Sequence, residues 1–298
     1  MRILVTGAGG FVGRRLVAAL VERGHRVGQL LLEPDEGSAA ESRFHGDLRD
    51  RDTVAGVMTD FAPQAVAHLG ALSEVASSWQ RVGEYFVVNV LGTANVVDTA
   101  PAGCRVVFAS SAEVYGIVPG EAQPIREERP PHPESPYAMS KAAAELVALR
   151  AGAVVVRSFN LVGPGQSPRF ALPSFAAQLA EIAAGKRSPR LLVGNLSARR
   201  DYLHVDDGVD GYVVLLEMAA GGEVYNLASG QSVEVGEALR RLIAITGLQV
   251  SVEVEAARLR PVDVPLLCGN AGRLRGLGWQ PRRGLDRALG DLWQSVGS

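Results

Sequence analysis

Tyr137 and Lys141, in Tyr137-Ala138-Met139-Ser140-Lys141, are a phenol and an amine four residues apart. On a helix, positions i and i+4 share one face. A free phenol has a pKa of about 10, a poor acid or base near neutrality. An adjacent ammonium favours phenolate, and a shift of about two to three units takes only ~3–4 kcal/mol. Lys141 is therefore expected to lower the Tyr137 pKa. Such pairs are common on helices, so the meaning of this one depends on its company.

Ser111 supplies part of that company, within Phe108-Ala109-Ser110-Ser111-Ala112-Glu113-Val114-Tyr115-Gly116. At the carboxyl end of a strand, its hydroxyl can donate to an oxygen that Tyr137 protonates and so stabilise developing alkoxide charge. Ser110 and Ser111 are also suited to capping a turn.

A third feature is Thr6-Gly7-Ala8-Gly9-Gly10-Phe11-Val12-Gly13, between the first strand and the first helix. Gly7 permits a tight turn, Gly10 lets backbone approach a pyrophosphate, and Gly13 allows close helix–sheet packing. N–H groups at the helix start then face the anion. This is a dinucleotide-binding pattern, and its placement at a strand–helix junction makes it more specific than the glycines alone. Binders of NAD usually carry an acid at the end of the second strand for the ribose hydroxyls. Here Leu31 occupies the expected position, Glu33 reaches it only if the strand runs longer, and Arg14 is suited to a 2′-phosphate. NADP(H) and NAD(H) both fit, with a lean to NADP(H). Asp47, after the third strand pattern, can accept from an adenine amino group or cap the helix that follows.

These residues need a scaffold. Strand patterns at 3–5, 27–32, 65–69, 105–109 and 154–157 alternate with helical patterns at 11–23, 89–100 and 137–149. Such alternation predicts an α/β fold, a Rossmann-type doubly wound parallel sheet covered on both faces. After Arg157, Gly163, Pro164, Gly165, Pro168 and Pro173 crowd a loop, followed by a helix expected over 174–184. Strand patterns at 224–227 and 250–254 and a helical pattern at 235–246 complete the chain. The organisation expected is a dinucleotide-binding domain over 1–157 and a smaller C-terminal α/β substrate domain over 158–298. Residues 205–228 are candidates to return to the first domain. Substrate is expected in the cleft between the two.

Composition excludes several classes. The 298 residues carry a net charge of −2, with 30 basic and 32 acidic side chains interspersed, which is neither a nucleic-acid footprint nor a membrane anchor. Cys104 and Cys268 lie outside any metal-ligand spacing, so no metal is expected, and a reducing compartment is the simplest setting. The apolar start is broken by Gly7, Gly9, Gly10 and Gly13 and by Arg14 and Arg15, unlike a signal peptide, and no stretch is long enough to span a bilayer. The expected location is the cytoplasm.

The glycine turn, Ser111 and the Tyr137–Lys141 pair together resemble the extended short-chain dehydrogenases/reductases that act on nucleotide sugars, the NAD-dependent epimerase/dehydratase family. The resemblance covers essentially the whole chain. It implies Ser111, Tyr137 and Lys141 as catalytic triad, with Lys141 also holding the nicotinamide ribose. It places Asn89, in Asn89-Val90-Leu91-Gly92-Thr93, as an organiser of the site, and His68-Leu69-Gly70-Ala71 along the cofactor, with Gly70 replacing the more usual alanine. The cofactor set implied is Gly7, Gly10, Phe11, Val12, Gly13, Asp47, Leu48, Leu69, Ala71, Asn89, Tyr137 and Lys141.

Two later segments narrow the class. Gly194-Asn195-Leu196-Ser197-Ala198-Arg199-Arg200-Asp201-Tyr202 and Arg260-Pro261-Val262-Asp263-Val264 look like stretches shared by GDP-mannose 4,6-dehydratases and GDP-4-keto-6-deoxymannose reductases. By that likeness Arg200 and Arg260 clamp the diphosphate, a bidentate task suited to arginine, the alternative being solvated arginines paired with Asp201 or Asp263. Asp263 binds ribose hydroxyls and Asn160 contacts phosphate or sugar. The short chain and the run Asn160-Leu161-Val162-Gly163-Pro164-Gly165-Gln166 look like the reductases. Glu113 stands where a dehydratase glutamate removes the C5 proton, and it is equally suited to a structural carboxylate. The reading is reduction at C4 of a GDP-4-keto-6-deoxyhexose, giving GDP-rhamnose or an epimer. A GDP-mannose 4,6-dehydratase or a nucleotide-sugar 4-epimerase is the alternative. The resemblance also implies a homodimer built from helices of the first domain.

Overall fold

The computed structural model describes residues 1–33, 39–259 and 261–296. Strands β1 (Arg2–Thr6), β2 (Arg26–Leu31), β3 (Ser42–His45), β4 (Ala65–His68), β5 (Arg105–Ser111) and β6 (Val154–Ser158) are short, and all but the edge strand β3 are largely buried. They are followed by β7 (Asn160–Val162), β8 (Arg190–Val193), β9 (Arg199–His204) and β10 (Val224–Leu227). The main sheet runs β10-β6-β5-β4-β1-β2-β3, with every pairing parallel. Strand order reverses between β1 and β4, so the connections leaving these two strands diverge and open a crevice at their carboxyl ends.

Apolar runs such as Ile3-Leu4-Val5 are buried on both faces because helices cover both sides of the sheet. On one face, Leu16, Val17 and Leu20 of helix Phe11–Glu22 meet Val209, Tyr212 and Val213 of helix Val205–Met218. On the other, Val54 and Met58 of helix Arg51–Phe61 share a core with Val96 and with Ala144 and Ala148 of helix Pro136–Arg150. The chain over 205–227 thus belongs physically to the main sheet.

A second core collects Leu172, Phe175 and Leu179 with Leu239, Leu242, Leu289 and Leu292. Three helices supply them: Ala171–Ala183, Val235–Thr246 and Leu285–Val296. Beside them lie a small sheet in which β9 pairs with β7, with β11 (Ser232–Glu234) and with β13 (Leu266–Leu267), and a separate two-stranded sheet of β12 (Ser251–Val254) and β8.

Two expected elements differ. The helix expected from residue 174 begins at Ala171, because Pro173 sits in the first turn, where a missing N–H costs nothing. The helix expected over 89–100 is the end of a longer one that starts at Val82 and widens into a π-helical turn at Val87–Leu91. Among the described residues no helix is long and apolar enough to cross a membrane.

Candidate active site

The glycine turn is held by backbone that admits no side chain. Gly7 has φ +66°, and a Cβ there would lie 2.7 Å from Gly70 Cα. A Cβ on Gly13 would lie 2.2 Å from the Gly7 carbonyl oxygen, so Gly13 guards the turn itself as well as helix packing. The Gly10 N–H donates to Gly7 O at 3.0 Å, and Gly10 opens the helix in extended conformation without a side-chain cap. The first-turn N–H groups are thereby left for an anion. A Cβ on Gly70 would lie 2.6 Å from Leu48 Cδ1, the far end of a flexible side chain that would have to shift to admit it.

Behind the turn runs a buried polar chain. Thr6 Oγ1 accepts from the Gly70 N–H (3.1 Å) and pairs with His68 Nδ1 (2.7 Å). His68 Nε2 pairs with Thr93 Oγ1 (3.0 Å), whose own proton goes to the Asn89 carbonyl (2.6 Å). His68 Nε2 is therefore the protonated nitrogen and Thr6 donates to Nδ1. Burial depresses the His68 pKa to about 3, keeping the ring neutral. Asn89 completes the connection. Its Oδ1 accepts from Leu72 N–H (2.8 Å) and its Nδ2 donates to Leu72 O (3.0 Å) and Ser140 Oγ (2.9 Å). Ser140 in turn donates to the Tyr137 carbonyl (2.7 Å). The cofactor loop and the tyrosine helix are joined through one amide.

Helix Pro136–Arg150 begins at Ser135, whose Oγ accepts from Ala138 N–H (3.2 Å), with Pro136 in the first turn. Tyr137 and Lys141 are both buried on its inner face. The expected lowering of the phenol is not what the structure gives. Burial raises the Tyr137 pKa and the Glu113 charge adds to it, with Ser111 pulling the other way. Lys141 Nζ lies 4.3 Å over the Phe108 ring. Burial lowers the Lys141 pKa to about 7, against an opposing pull from Glu145. Tyr137 is thus held as a protonated phenol, ready to donate.

A cleft of about 1170 Å³ brings most expected site residues together. Gly7, Gly10, Phe11, Val12, Gly13, Leu69 and Ala71 line it together with Ser111, Glu113 and Tyr137 and with Asn160, Arg200 and Asp263. Lys141, Asn89 and Leu48 stand behind this lining. Asp47 also lies outside it: its carboxylate is taken by Arg49, whose Nε and Nη2 donate at 2.8 and 2.5 Å and hold its pKa low. Neither is Asp47 the cap of the following helix, since Asp50 accepts from Asp52 N–H and Thr53 N–H. At the second-strand end, β2 stops at Leu31, and Leu31, Leu32, Glu33 and Arg14 all line the cleft.

On the substrate side Arg200 and Asp263 are partners. Arg200 Nη2 donates to Asp263 Oδ1 at 2.6 Å, and its Nη1 donates to the carbonyls of Val264 and Arg199. Asn195 Nδ2 donates to the second oxygen, Asp263 Oδ2 (2.7 Å). Asp201 faces inward instead, accepting from the N–H groups of Ser229, Gly230 and Gly269 and from the Ser229 hydroxyl. Arg260 lies outside the described residues. Among the described residues no group of three His, Cys, Asp or Glu side chains is placed to hold a metal ion.

The family model described as "NAD dependent epimerase/dehydratase family" matches residues 3–228, the glycine turn through β10. The chain belongs to this family. The GDP-6-deoxy-D-mannose reductase of Pseudomonas aeruginosa is 34 % identical over 99 % of this chain and 97 % of its own. A UDP-glucose 4-epimerase of Neisseria meningitidis is 28 % identical over 99 % and 97 %. Among solved structures, RMD from Pseudomonas aeruginosa complexed with NADPH superposes with a TM-score of 0.88 at 31 % identity, covering 99 % of this chain and 98 % of that one. The Thermus thermophilus UDP-glucose 4-epimerase complexed with NAD gives 0.88 at 29 %, covering 99 % of each. The NAD(P) cofactor and the Rossmann-type fold of the family are therefore those expected from the sequence.

Several contributors to this family site escaped sequence reasoning. Thr6, Thr93 and Ser140 act through hydrogen bonds across 62, 25 and 51 residues, and no local pattern announces them. Tyr212 reaches the cleft from helix Val205–Met218 and pairs with Ser158 Oγ at 2.9 Å. Asn195 was within a quoted motif, and its neighbour Gly194 could have suggested a tight turn at a binding edge.

Proposed function

We propose that the chain is an NAD(P)H-dependent reductase of a nucleoside-diphosphate 4-keto-6-deoxyhexose, with a GDP-sugar as substrate and NADP(H) favoured. The observation that carries this reading is the gathering of these groups in one cleft: the glycine turn, Ser111, Glu113 and Tyr137, and Asn160 with the Arg200–Asp263 pair. The full-length similarity to a protein named GDP-6-deoxy-D-mannose reductase, and to a structure complexed with NADPH, supports the same reading.

The residues fit the cofactor because Gly7 and Gly13 shape a cradle that a Cβ would fill. Bound NAD(P)H supplies the hydride that reduces C4. Tyr137, protonated and buried, gives its proton to the ketone oxygen as charge develops there. Ser111 donates a hydrogen bond to that oxygen and aligns it. Lys141, behind Tyr137, provides cationic charge when protonated, which favours the phenolate left after transfer. Arg200, oriented by Asp263, offers its remaining guanidinium edge to the diphosphate, and Asp263 serves the ribose. Asn160 contacts the phosphate or sugar.

The test is cofactor balance. With a GDP-4-keto-6-deoxyhexose, one NAD(P)H should disappear per sugar reduced, and Tyr137→Phe should lower turnover by about 10²- to 10⁴-fold. Interconversion of UDP-glucose and UDP-galactose without net loss of reduced cofactor would establish instead the epimerase reading that the Neisseria relative favours. Glu113, with its place in the cleft, would gain a role only if GDP-mannose were dehydrated.

We also propose a homodimer through helices of the sheet domain. Phe86, Val87 and Leu91 are exposed beside Met139 and Leu146 of the adjoining helix, an apolar surface of the kind buried between subunits. Light scattering giving the mass of one chain would dismiss it. Cys104 and Cys268 are free thiols, in keeping with a reducing cytoplasm.

A further inference from the structure

The tyrosine helix carries a third ionisable group on its inner face. Glu145 lies four residues beyond Lys141 and is 2 % exposed. Its carboxylate accepts from Ser110 Oγ (2.5 Å) and from the forked guanidinium of Arg157, Nε at 3.0 and 3.2 Å and Nη2 at 2.8 Å. Arg157 is fixed in turn, 4.7 Å over the Tyr115 ring, with Nη1 donating to the carbonyls of Glu127 and Arg129. Ser110 immediately precedes Ser111 on β5, so Glu145 grips the strand beside a reacting hydroxyl.

A buried arginine–glutamate pair is a weak device for stability, since desolvating both charges offsets most of their attraction. Its position next to Lys141 gives it a different use. Of the 30 basic residues only Lys141 and Lys186 are lysines. Arginine stays charged when buried, whereas lysine readily loses its proton. Lys141 is 3 % exposed, and no carboxylate lies within ion-pair distance of its Nζ among the described residues. The ionisable groups around it are Tyr137 and Glu145 on its own helix, His68 from β4, Glu113 beyond β5, Arg157 on β6 and Tyr85 from the helix at 82–86. His68 is neutral and Arg157 is cationic. Glu145 supplies the negative charge on the inner side.

We propose that Glu145 is a positioning residue for the reduction: its carboxylate, gripped by Ser110 and Arg157, keeps Lys141 an ammonium behind Tyr137 and ties that helix to the strand end bearing Ser111. The inference rests on Tyr137 as proton donor. It acts through Lys141 and touches neither cofactor nor substrate.

The experiment uses full-length protein labelled with ¹³C,¹⁵N-lysine, whose two ε-methylene signals are followed through a pH titration. Wild-type Lys141 should titrate near 7, and the signal of exposed Lys186 serves as an internal reference. Glu145→Gln should move Lys141 down by about one to two pH units and leave Lys186 in place. The alkaline limb of the NAD(P)H-oxidation profile should shift down with it. A merely structural Glu145 would lower the melting temperature without moving the Lys141 signal. Should the single variant not fold, Glu145→Gln/Arg157→Met removes both charges, a neutral exchange that buried pairs often tolerate, and Lys141 should again move down. A Lys141 titration that coincides with wild type in a folded variant overturns the proposal. Full turnover by Tyr137→Phe would instead overturn the proton-donor assignment, a separate outcome because the lysine titration is read without substrate.

Discussion

Replacing Asn89 tests whether a single amide joins the cofactor loop to the tyrosine helix. The side chain is 1 % exposed and makes three hydrogen bonds, two to the Leu72 backbone and one to Ser140 Oγ. Asn89→Ala leaves the half-buried Leu72 N–H and C=O without these partners and removes the donor to Ser140. Each buried orphan costs about 1–3 kcal/mol. Ser140 loses less, since its own proton still reaches the Tyr137 carbonyl. The expected loss is therefore about 3–5 kcal/mol, a large share of the ~5–15 kcal/mol typical of a folded protein. Asn89→Asp sharpens the argument. It retains an acceptor for Leu72 N–H, but its second oxygen faces Leu72 O and a Ser140 hydroxyl already committed as donor. It should be destabilised at neutral pH despite near-identical shape. Urea unfolding followed by far-ultraviolet circular dichroism measures both, with midpoints falling at unchanged slope. A loss below about 1 kcal/mol for Asn89→Ala, or a wild-type midpoint for Asn89→Asp, would refute the connection.

Gly13→Ala places a methyl 2.2 Å from Gly7 O and should abolish NADPH binding in calorimetry. Gly56→Ala, with nothing within 4 Å of its Cβ in a helix, should instead stabilise by about 0.5–1 kcal/mol and leave binding intact. Lys141 has a folded pKa of about 7 against 10.5 in its unfolded reference, so the unfolded chain binds more protons between those values and stability rises with pH across that window. Wild type should accordingly gain stability relative to Lys141→Met between pH 7 and 10 in urea titrations, and a constant difference would count against it. Asp201→Asn turns an amide group toward some of the four donors that surround the carboxylate, and should cost about 2–5 kcal/mol in the same assay. A cost near zero would mean that those donors find other partners.

The parts of the molecule legible in the sequence are those fixed over short distances. Ile3-Leu4-Val5 reads as a buried strand because each residue is apolar, and the glycines at 7, 10 and 13 read as a turn because their spacing is set by the backbone of that turn alone. Tyr137 and Lys141 share a face by helix geometry. The Tyr137 pKa was not legible, since its sign follows from burial among Ser111, Tyr85 and Glu113, which only the fold brings near. The Arg200–Asp263 pair, separated by 63 residues, was legible only as the alternative to a diphosphate clamp, because the sequence does not say whether Asp201 or Asp263 meets the arginine. The π-helical turn at Val87–Leu91 carries Asn89, whose hydrogen bonds to Leu72 and Ser140 are tertiary contacts with no sequence periodicity to announce them. Asp47 is not the cap of the helix that follows, because Asp50 takes that place while Arg49 donates to the Asp47 carboxylate.

The placement of β10 beside β6 bears on the timing of biosynthesis. When residue 157 has been polymerised, the outer edge of β6 has no neighbour, and Leu16, Val17 and Leu20 have not yet met Val209, Tyr212 and Val213. Both gaps close only after residue 227 leaves the exit tunnel. At about 5–20 residues per second, the nascent chain presents an open strand and a greasy flank for several seconds. A ribosome-associated chaperone has that interval in which to act, and a stalled or truncated product ending between these positions would be prone to aggregate.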